Sequence, residues 1–315
     1  MSDADTELLA LARQARWTFP TSSGRPVAAE APAWATRLAT ERNAVAGAAR
    51  RLLDRGETAA ATELAANSWR AWVLARDEAG GRAFLAIVLD APGQSDASRA
   101  RALALYGDSL LAFRLGDLAA SRARSEAALA VARKAGDREA EGLALLGLSR
   151  VELSEGRHDD ARSHASTSRA RLRDLDPAYG QAPLHMHAQA TRLAGAQDEA
   201  IALFEESLAL NRRLGDRGMV LVELHNLGHM VLRRGDVDTA ERCFTESETL
   251  AGETDDPYDI AMRRFNHAAI AFARGDRAAA QALLGGVRVV LERAKITLAT
   301  DDAAEVADLE VRLRR

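Results

Sequence analysis

The 315-residue sequence carries a net charge of −4, with 47% hydrophobic and 28% charged residues, which is typical of a globular protein. This balance argues against a nucleic-acid-binding domain with a broad basic face. The single cysteine excludes an internal disulfide and a cysteine-rich zinc site. No apolar run reaches the roughly 18 residues of a membrane span, and the acidic N-terminus lacks the order of a signal peptide, so we expect a cytoplasmic protein without membrane contact.

The first residues form a segment of their own. Residues 1–34 contain a short helical stretch, Thr6 to Trp17, and then a linker composition that includes Pro20 and Pro26. We predict a partly flexible N-terminal segment with poor order around residues 18–30. Helical patterns follow, separated by breaks at Gly56-Glu57 and Pro92-Gly93; the predicted helices are 38–54, 58–75, 79–90 and 97–114.

An internal repeat begins with the last of these helices. Five glycines that each follow an apolar run stand 39 or 40 residues apart; they are Gly116, Gly156, Gly195, Gly235 and Gly275. Aspartates fall about halfway between them, at Asp137, Asp176, Asp216 and Asp256. Glycine favours the position after a helix, and aspartate favours the position before the next one. The spacing therefore predicts pairs of antiparallel helices with a period of about 40 residues.

The side chains around each turn repeat as well. Five residues after each turn glycine stands a small residue, and these are Ser121, Ala161, Ala200, Ala240 and Ala280. Eleven residues before four of the glycines stands a leucine, and these are Leu105, Leu145, Leu184 and Leu224. Small residues allow two helices to approach closely, and the leucines fill the seam between them. Because one helix pair cannot bury its own apolar face, the pairs must stack into a solenoid.

The predicted fold is therefore all-α: a right-handed α-solenoid of tetratricopeptide-like helix pairs. Tetratricopeptide repeats usually have about 34 residues, so each helix here should be about one turn longer. We predict one solenoid over 35–315, with clear repeats over about 97–295. Helices at 277–295 and 301–314 complete the last repeat, and residues 296–315 cap it.

Several segments resemble the helical C-terminal regions of large bacterial signal-transduction ATPases and transcriptional regulators. The resemblance lies in Arg-Leu-Gly-Asp at 114–117 and in the segments 129–133, 208–216 and 224–229; residues 38–43 and 48–56 resemble the first helix of that region. It covers about residues 34–290. The nucleotide site and the DNA-binding domain of those proteins have no counterpart here. The resemblance implies a sensor or scaffold that binds an inducer, a partner protein or an ATPase domain.

The same resemblance assigns the concave face of the solenoid to the first helix of each pair. Seven of the fifteen residues at three inward positions are aromatic or histidine, and two are arginine. Such a mixture suits a ligand with an apolar body and a polar or anionic group. The candidate ligand- or partner-binding residues are Tyr106, Phe113, Arg150, His185, Gln189, Arg192, His225, His229, Phe265 and Phe272.

The histidines leave several interpretations open. His225 and His229 stand four residues apart on one helix face, and His185 is equivalent to His225 one repeat earlier. Three such imidazoles could share a metal or transfer a proton, but no carboxylate with metal-ligand spacing joins them. We therefore interpret them as ligand-contacting or merely exposed residues and predict neither a metal nor a cofactor. His187 and His267 are predicted to be core histidines.

The tryptophans Trp69 and Trp72 share one helix face, which favours packing against the next helix over a ligand platform. No catalytic or phosphate-binding motif is present, so an enzyme that uses the groove histidines is the least favoured hypothesis. The leading hypothesis is a non-catalytic scaffold that holds a partner protein or peptide in its groove. A small-molecule sensor or sequestering protein is the alternative, and the oligomeric state is left open.

Overall fold

A computed structural model describes residues 3–14, 33–95, 97–253, 256–298 and 300–315. Of these residues 84% are helical and none is in a strand, which confirms the predicted all-α class. Among the described helices, none combines the length and the apolar content that a membrane crossing requires. The predicted linker around 18–30 lies outside the described residues, as does Trp17.

The chain forms two compact units, Met1–Leu203 and Phe204–Arg315. The boundary falls within α12. The first unit contains the helices α1 (Asp3–Gln14), α2 (Ala33–Thr40), α3 (Arg42–Asp54), α4 (Thr58–Ser68), α5 (Arg70–Leu74), α6 (Glu78–Leu89), α7 (Arg99–Arg114), α8 (Leu118–Ala135), α9 (Arg138–Ser154), α10 (His158–Leu172) and α11 (Gln181–Leu193), with a short 3₁₀ turn at Pro177–Gly180. The other helices are α12 (Gln197–Leu214), α13 (Arg217–Arg233), α14 (Val237–Ala251), α15 (Pro257–Ala273), α16 (Arg277–Ala294) and α17 (Thr300–Arg314).

The turns of the repeat have the geometry that the sequence predicts. All five turn glycines have φ between 75° and 90°, a left-handed conformation that residues with a Cβ rarely adopt. A Cβ at any of them would meet nothing within 4 Å, so the backbone conformation alone selects glycine there. The halfway aspartates begin the next helices: the Asp137 and Asp216 side chains accept hydrogen bonds from the amides of Ala140 and Met219.

In the first unit each repeat helix packs against its neighbours in the chain. α7 packs on α8, α8 on α9, α9 on α10, and α10 on α11. The predicted seam is buried throughout: Ser121 and Ala161 are at most 1% exposed, and Leu105 and Leu145 are 2% exposed. The small residues and the leucines of the repeat therefore lie at the interfaces between packed helices, as the sequence predicts.

Two predicted helices are interrupted. The helix predicted over 38–54 is divided into α2 and α3 at Glu41, and the helix predicted over 58–75 is divided into α4 and α5 at Trp69. Just before the second break, the Ser68 hydroxyl donates to the carbonyl of Leu64, and a side chain that bonds its own helix in this way often bends it. The break places Arg70 at the start of α5, where it is almost completely buried.

The second unit is built on the same plan. α13 packs on α14, and α15 packs on α16. Ala240, Ala280 and Leu224 are at most 1% exposed, as the repeat pattern predicts. The last helix, α17, contacts α15 and α16, and its side chains Val306, Leu309 and Leu313 join the apolar core of Phe265 and Leu284.

Candidate functional site

The first unit contains a polar cavity of about 440 Å³. Its walls come from the helices α1, α4, α5, α7 and α9 and from the 3₁₀ turn. The residues that line it are Arg13, Glu63, Ala66, Asn67, Trp69, Arg70, Arg99, Leu103, Tyr106, Glu139 and Tyr179. Its volume lies within the range of about 300–1,000 Å³ that is usual for ligand sites, and it joins aromatic rings to charged groups.

Three guanidinium groups and two carboxylates face this cavity. Arg13 forms a two-pronged pair with Glu63, with both N–O distances at 2.7 Å. Arg99 donates to Glu139 and also lies 3.1 Å from the Asp137 carboxylate. The lining therefore has three positively charged groups and two negatively charged ones, and this balance favours binding of an anionic group.

Arg70 is the most unusual of these groups. It is 8% exposed, and its guanidinium carbon lies 4.3 Å from the ring centroid of Trp69, a cation–π contact. Burial lowers the pKa of Arg70 to about 10, against the opposing effect of negative charge such as that of Glu139. Arg70 therefore remains charged at neutral pH. The attraction between such a charge and an opposite charge is strong, because water screens it poorly in a buried space.

Tyr179, from the 3₁₀ turn, also lines the cavity and donates a hydrogen bond to Glu139 Oε1 at 2.9 Å. Burial and the nearby charge of Glu139 raise the pKa of Tyr179, so that its hydroxyl stays protonated. Arg99, Glu139 and Tyr179 are not among the residues predicted from the sequence, although they stand 40 residues apart in the chain. The repeat period was the signal that would have found them, because equivalent positions of stacked repeats meet on one face.

Two of the predicted site residues in the first unit come together beside this cavity. The Tyr106 hydroxyl accepts a hydrogen bond from Arg150 Nη1 at 3.1 Å, and its ring meets the edge of Trp69 with centroids 6.0 Å apart. Tyr106 is only 2% exposed, because Trp69 and its neighbours cover it. Trp69 and Trp72 are themselves buried in the core, as predicted, and Trp72 stacks on Phe84.

The remaining predicted residues of the first unit are half-buried and do not line the cavity. They are Phe113, His185, Gln189 and Arg192. Gln189 accepts a hydrogen bond from Arg192 Nε at 3.0 Å, within α11. Their part in binding stays a prediction.

In the second unit three of the four predicted residues form one cluster. The rings of His225 and His229 lie 4.6 Å apart, and Phe265 stacks on His229 at 5.2 Å. Phe272 lies instead beneath the guanidinium groups of Arg312 and Arg277, at 4.7 and 5.6 Å. The four residues thus occupy two separate environments, and α17 contributes to both.

Two carboxylates of α17 face the histidine pair. Asp302 Oδ1 lies 3.6 Å from His225 Nε2, and Glu305 Oε2 lies 3.5 Å from His229 Nδ1. Neither carboxylate was predicted, because α17 follows the last repeat and no period connects it to α13. This face of α13 therefore meets the chain's own last helix.

The electrostatics of the cluster follow from its burial. His229 is 7% exposed, and burial, followed by the neighbouring His225, places the pKa of His229 well below its usual range. Burial alone would raise the pKa of Asp302, but the His225 imidazole, 3.6 Å away, and the hydrogen bond from the Tyr258 hydroxyl hold it below its usual range. At neutral pH His229 is therefore neutral and Asp302 is ionised.

His267 differs from the prediction of a core histidine. Its side chain is 54% exposed, and its Nε2 lies 2.8 Å from the Glu248 carboxylate. The error comes from treating the position eight residues before each turn glycine as buried in every repeat; at this position α15 presents its side chain to solvent. His187, assigned to the same position, is half-buried.

The comparisons with known proteins support the fold. At the level of sequence, no protein-family model matches the chain, and no curated protein is significantly similar to it. Cut9, in its crystal structure with Hcn1 of the APC/C, is similar to 87% of this chain, with a TM-score of 0.61 and 14% identity. BtubC from P. vanneervenii is similar to 79% of the chain, with a TM-score of 0.52 and 16% identity.

A tetratricopeptide repeat protein from Parabacteroides merdae aligns with 86% of this chain and 98% of its own, with 11% identity and a TM-score of 0.49. The match covers 94% of BtubC but only 46% of Cut9, so the chain spans about half the length of the latter. Identities this low establish the architecture alone. The chain has a tetratricopeptide-like helical repeat fold.

Proposed function

We propose that this protein is a non-catalytic binding module that holds a peptide segment of a partner protein, and that the cavity of the first unit receives a carboxylate of that segment. The observation that carries the proposal is the buried, charged Arg70, which lines a polar cavity of about 440 Å³ beside Trp69 and Tyr106. Arginine is the side chain best suited to grip a carboxylate, because its planar fork can donate two parallel hydrogen bonds.

The arrangement of the cavity favours a protein partner. Its walls come from helices that stack in register, so an extended segment can contact several repeats in succession. Arg13, Arg70 and Arg99 line the space that the charged group of the segment would occupy, and the buried rings of Trp69 and Tyr106 support this wall from behind. The resemblance of the repeats to the helical regions of bacterial signal-transduction ATPases and regulators supports a partner from bacterial regulation.

The test begins with a random-peptide display library selected against the whole chain. The affinity of the selected peptides is then measured by fluorescence anisotropy for the parent, Arg70→Gln and Arg99→Gln, with folding checked by circular dichroism. Loss of one member of a buried charge pair costs about 2–5 kcal/mol, so binding should weaken by at least about 30-fold. Arg138→Gln is the matched control, because Arg138 precedes Glu139 on α9 and pairs with Asp174 in solvent; it should change affinity less than about threefold. Equal affinity in all variants would refute the proposal.

The volume of the cavity also favours a second candidate, a small carboxylate metabolite. The same variants separate the two candidates. A metabolite screened by thermal shift should stabilise the parent and not Arg70→Gln, and it should do so without any peptide. If no compound of a broad carboxylate panel raises the melting temperature of the parent, while the display library yields binding peptides, the result favours the protein partner.

A further inference from the structure

We propose that His225, His229 and Glu305 form a binding site for a divalent transition-metal ion, Zn²⁺ in the first instance, that fastens α17 to α13. One ligand atom from each residue lies within 4.8 Å of the other two. Two imidazoles and one carboxylate are a common donor set for zinc. The site lies wholly in the second unit, is separate from the cavity of the first, and does not depend on the proposed function.

The separations fit a shared ion better than direct hydrogen bonds. His229 Nδ1 and Glu305 Oε2 are 3.5 Å apart, beyond the 2.7–3.2 Å usual for a hydrogen bond. Two ligands bound tetrahedrally to zinc, at the usual Zn–N and Zn–O lengths, stand about 3.4 Å from each other. The observed separation is therefore close to the one that an ion between the two atoms would set.

The surroundings hold the ligands in the state that binds metal. His229 Nε2 lies 2.9 Å from Asn266 Oδ1, and since that oxygen can only accept, the ring carries its proton on Nε2 and turns a lone pair on Nδ1 toward Glu305. Glu305 in turn accepts a hydrogen bond from Arg233 at 3.2 Å through its other oxygen. Groups around a metal centre commonly fix the tautomer and orientation of its ligands in this way.

The second carboxylate of α17 completes the arrangement. Asp302 lies beside His225, and the Tyr258 hydroxyl donates to it, so Asp302 is placed to orient the His225 ring or to approach the ion itself. Asp302 and Glu305 thus place two carboxylates beside the two imidazoles in a half-buried space. Imidazole nitrogens and carboxylate oxygens together are donors that a divalent transition-metal ion accepts.

The experiment uses the full, untagged chain, so that no tag histidines bind metal. Zinc binding is measured by equilibrium dialysis with ZnCl₂, with MgCl₂ as the hard-ion comparison. The visible absorption of added CoCl₂ reports four-coordinate geometry. The variants are Glu305→Gln, which keeps an oxygen for Arg233, and His225→Asn. His267→Asn is the matched control, because His267 also pairs with a glutamate, but the described residues place no third ligand beside this pair.

We expect one Zn²⁺ per chain, no comparable binding of Mg²⁺, a rise in melting temperature with Zn²⁺, and the cobalt absorption. Glu305→Gln and His225→Asn should weaken zinc binding at least tenfold and lose the cobalt signal, whereas His267→Asn should match the parent. If one variant fails to fold, the other carries the test. Absence of zinc binding by the parent, or unchanged affinity in a folded Glu305→Gln or His225→Asn, would overturn the proposal.

Discussion

The close approach of Phe244 to Gly228 makes a sharp test of how α13 and α14 pack. Gly228 lies inside α13, and a Cβ placed there would stand 2.4 Å from Phe244 Cε1. Phe244 is 2% exposed, and its ring centroid is 5.0 Å from that of His229, so the ring cannot swing aside without displacing its neighbours. Overpacking of this kind costs about 1–3 kcal/mol. Alanine in place of glycine inside a helix recovers about 1 kcal/mol. Gly228→Ala should therefore lower the free energy of unfolding by about 0–2 kcal/mol.

Gly285 supplies the matched control in the same unit. It lies inside α16, and a Cβ there would meet nothing within 4 Å, so Gly285→Ala should keep the propensity gain and stabilise the unit by about 0.5–1 kcal/mol. The assay is urea unfolding of the full chain, monitored by circular dichroism. Both substitutions lie in the second unit, so they act on the same unfolding transition. Gly228→Ala should be less stable than Gly285→Ala by about 1–3 kcal/mol. Equal stabilisation of the two variants would show that Phe244 does not lie against Gly228.

Two further predictions follow from the repeat and from burial. Ala200→Leu and Ala240→Leu replace fully buried small residues, so each should cost about 1–3 kcal/mol of unfolding free energy; melting temperatures unchanged in both would mean that the repeat register is wrong. Burial, with the charge of Glu246, raises the pKa of the Cys243 thiol, which is 7% exposed. A disulfide reagent at pH 8 should therefore modify the folded chain at least about 100-fold more slowly than the chain in urea, and rapid modification of both would contradict its burial.

The sequence predicted those features of the fold that are decided locally. The turn glycines and the capping aspartates each act within a few residues of their own position, and their spacing of 39 or 40 residues defined the helix pairs. The breaks at Glu41 and Trp69 were not predicted, because no glycine or proline marks them and both flanks keep a helical pattern. At the second break the Ser68 hydroxyl bonds back to its own helix, a choice of partner that the helical pattern does not reveal.

The candidate site was only partly predictable, because contacts between residues far apart in the chain are not encoded locally. His225, His229 and Phe265 meet because they occupy related positions of successive first helices, which the period reveals. Asp302 and Glu305 reach the histidines from α17, which lies outside the period, and nothing near them in the sequence indicates their partners. Arg70 was missed because a lone arginine on a helix is ordinarily exposed; only the packing around Trp69 and Tyr106 buries it.

The contact between Arg70 and a carboxylate of a bound peptide is the central claim, and a double-mutant cycle tests it most directly. The affinity of a selected peptide is measured for the parent and for Arg70→Gln, each with the peptide's critical carboxylate intact and with that group converted to the amide. Close charge pairs at interfaces couple by about 1.5 kcal/mol or more, so the amide should weaken binding to the parent at least about tenfold more than binding to Arg70→Gln. An equal loss in both proteins would contradict the claim, because it would mean that Arg70 and the carboxylate do not interact.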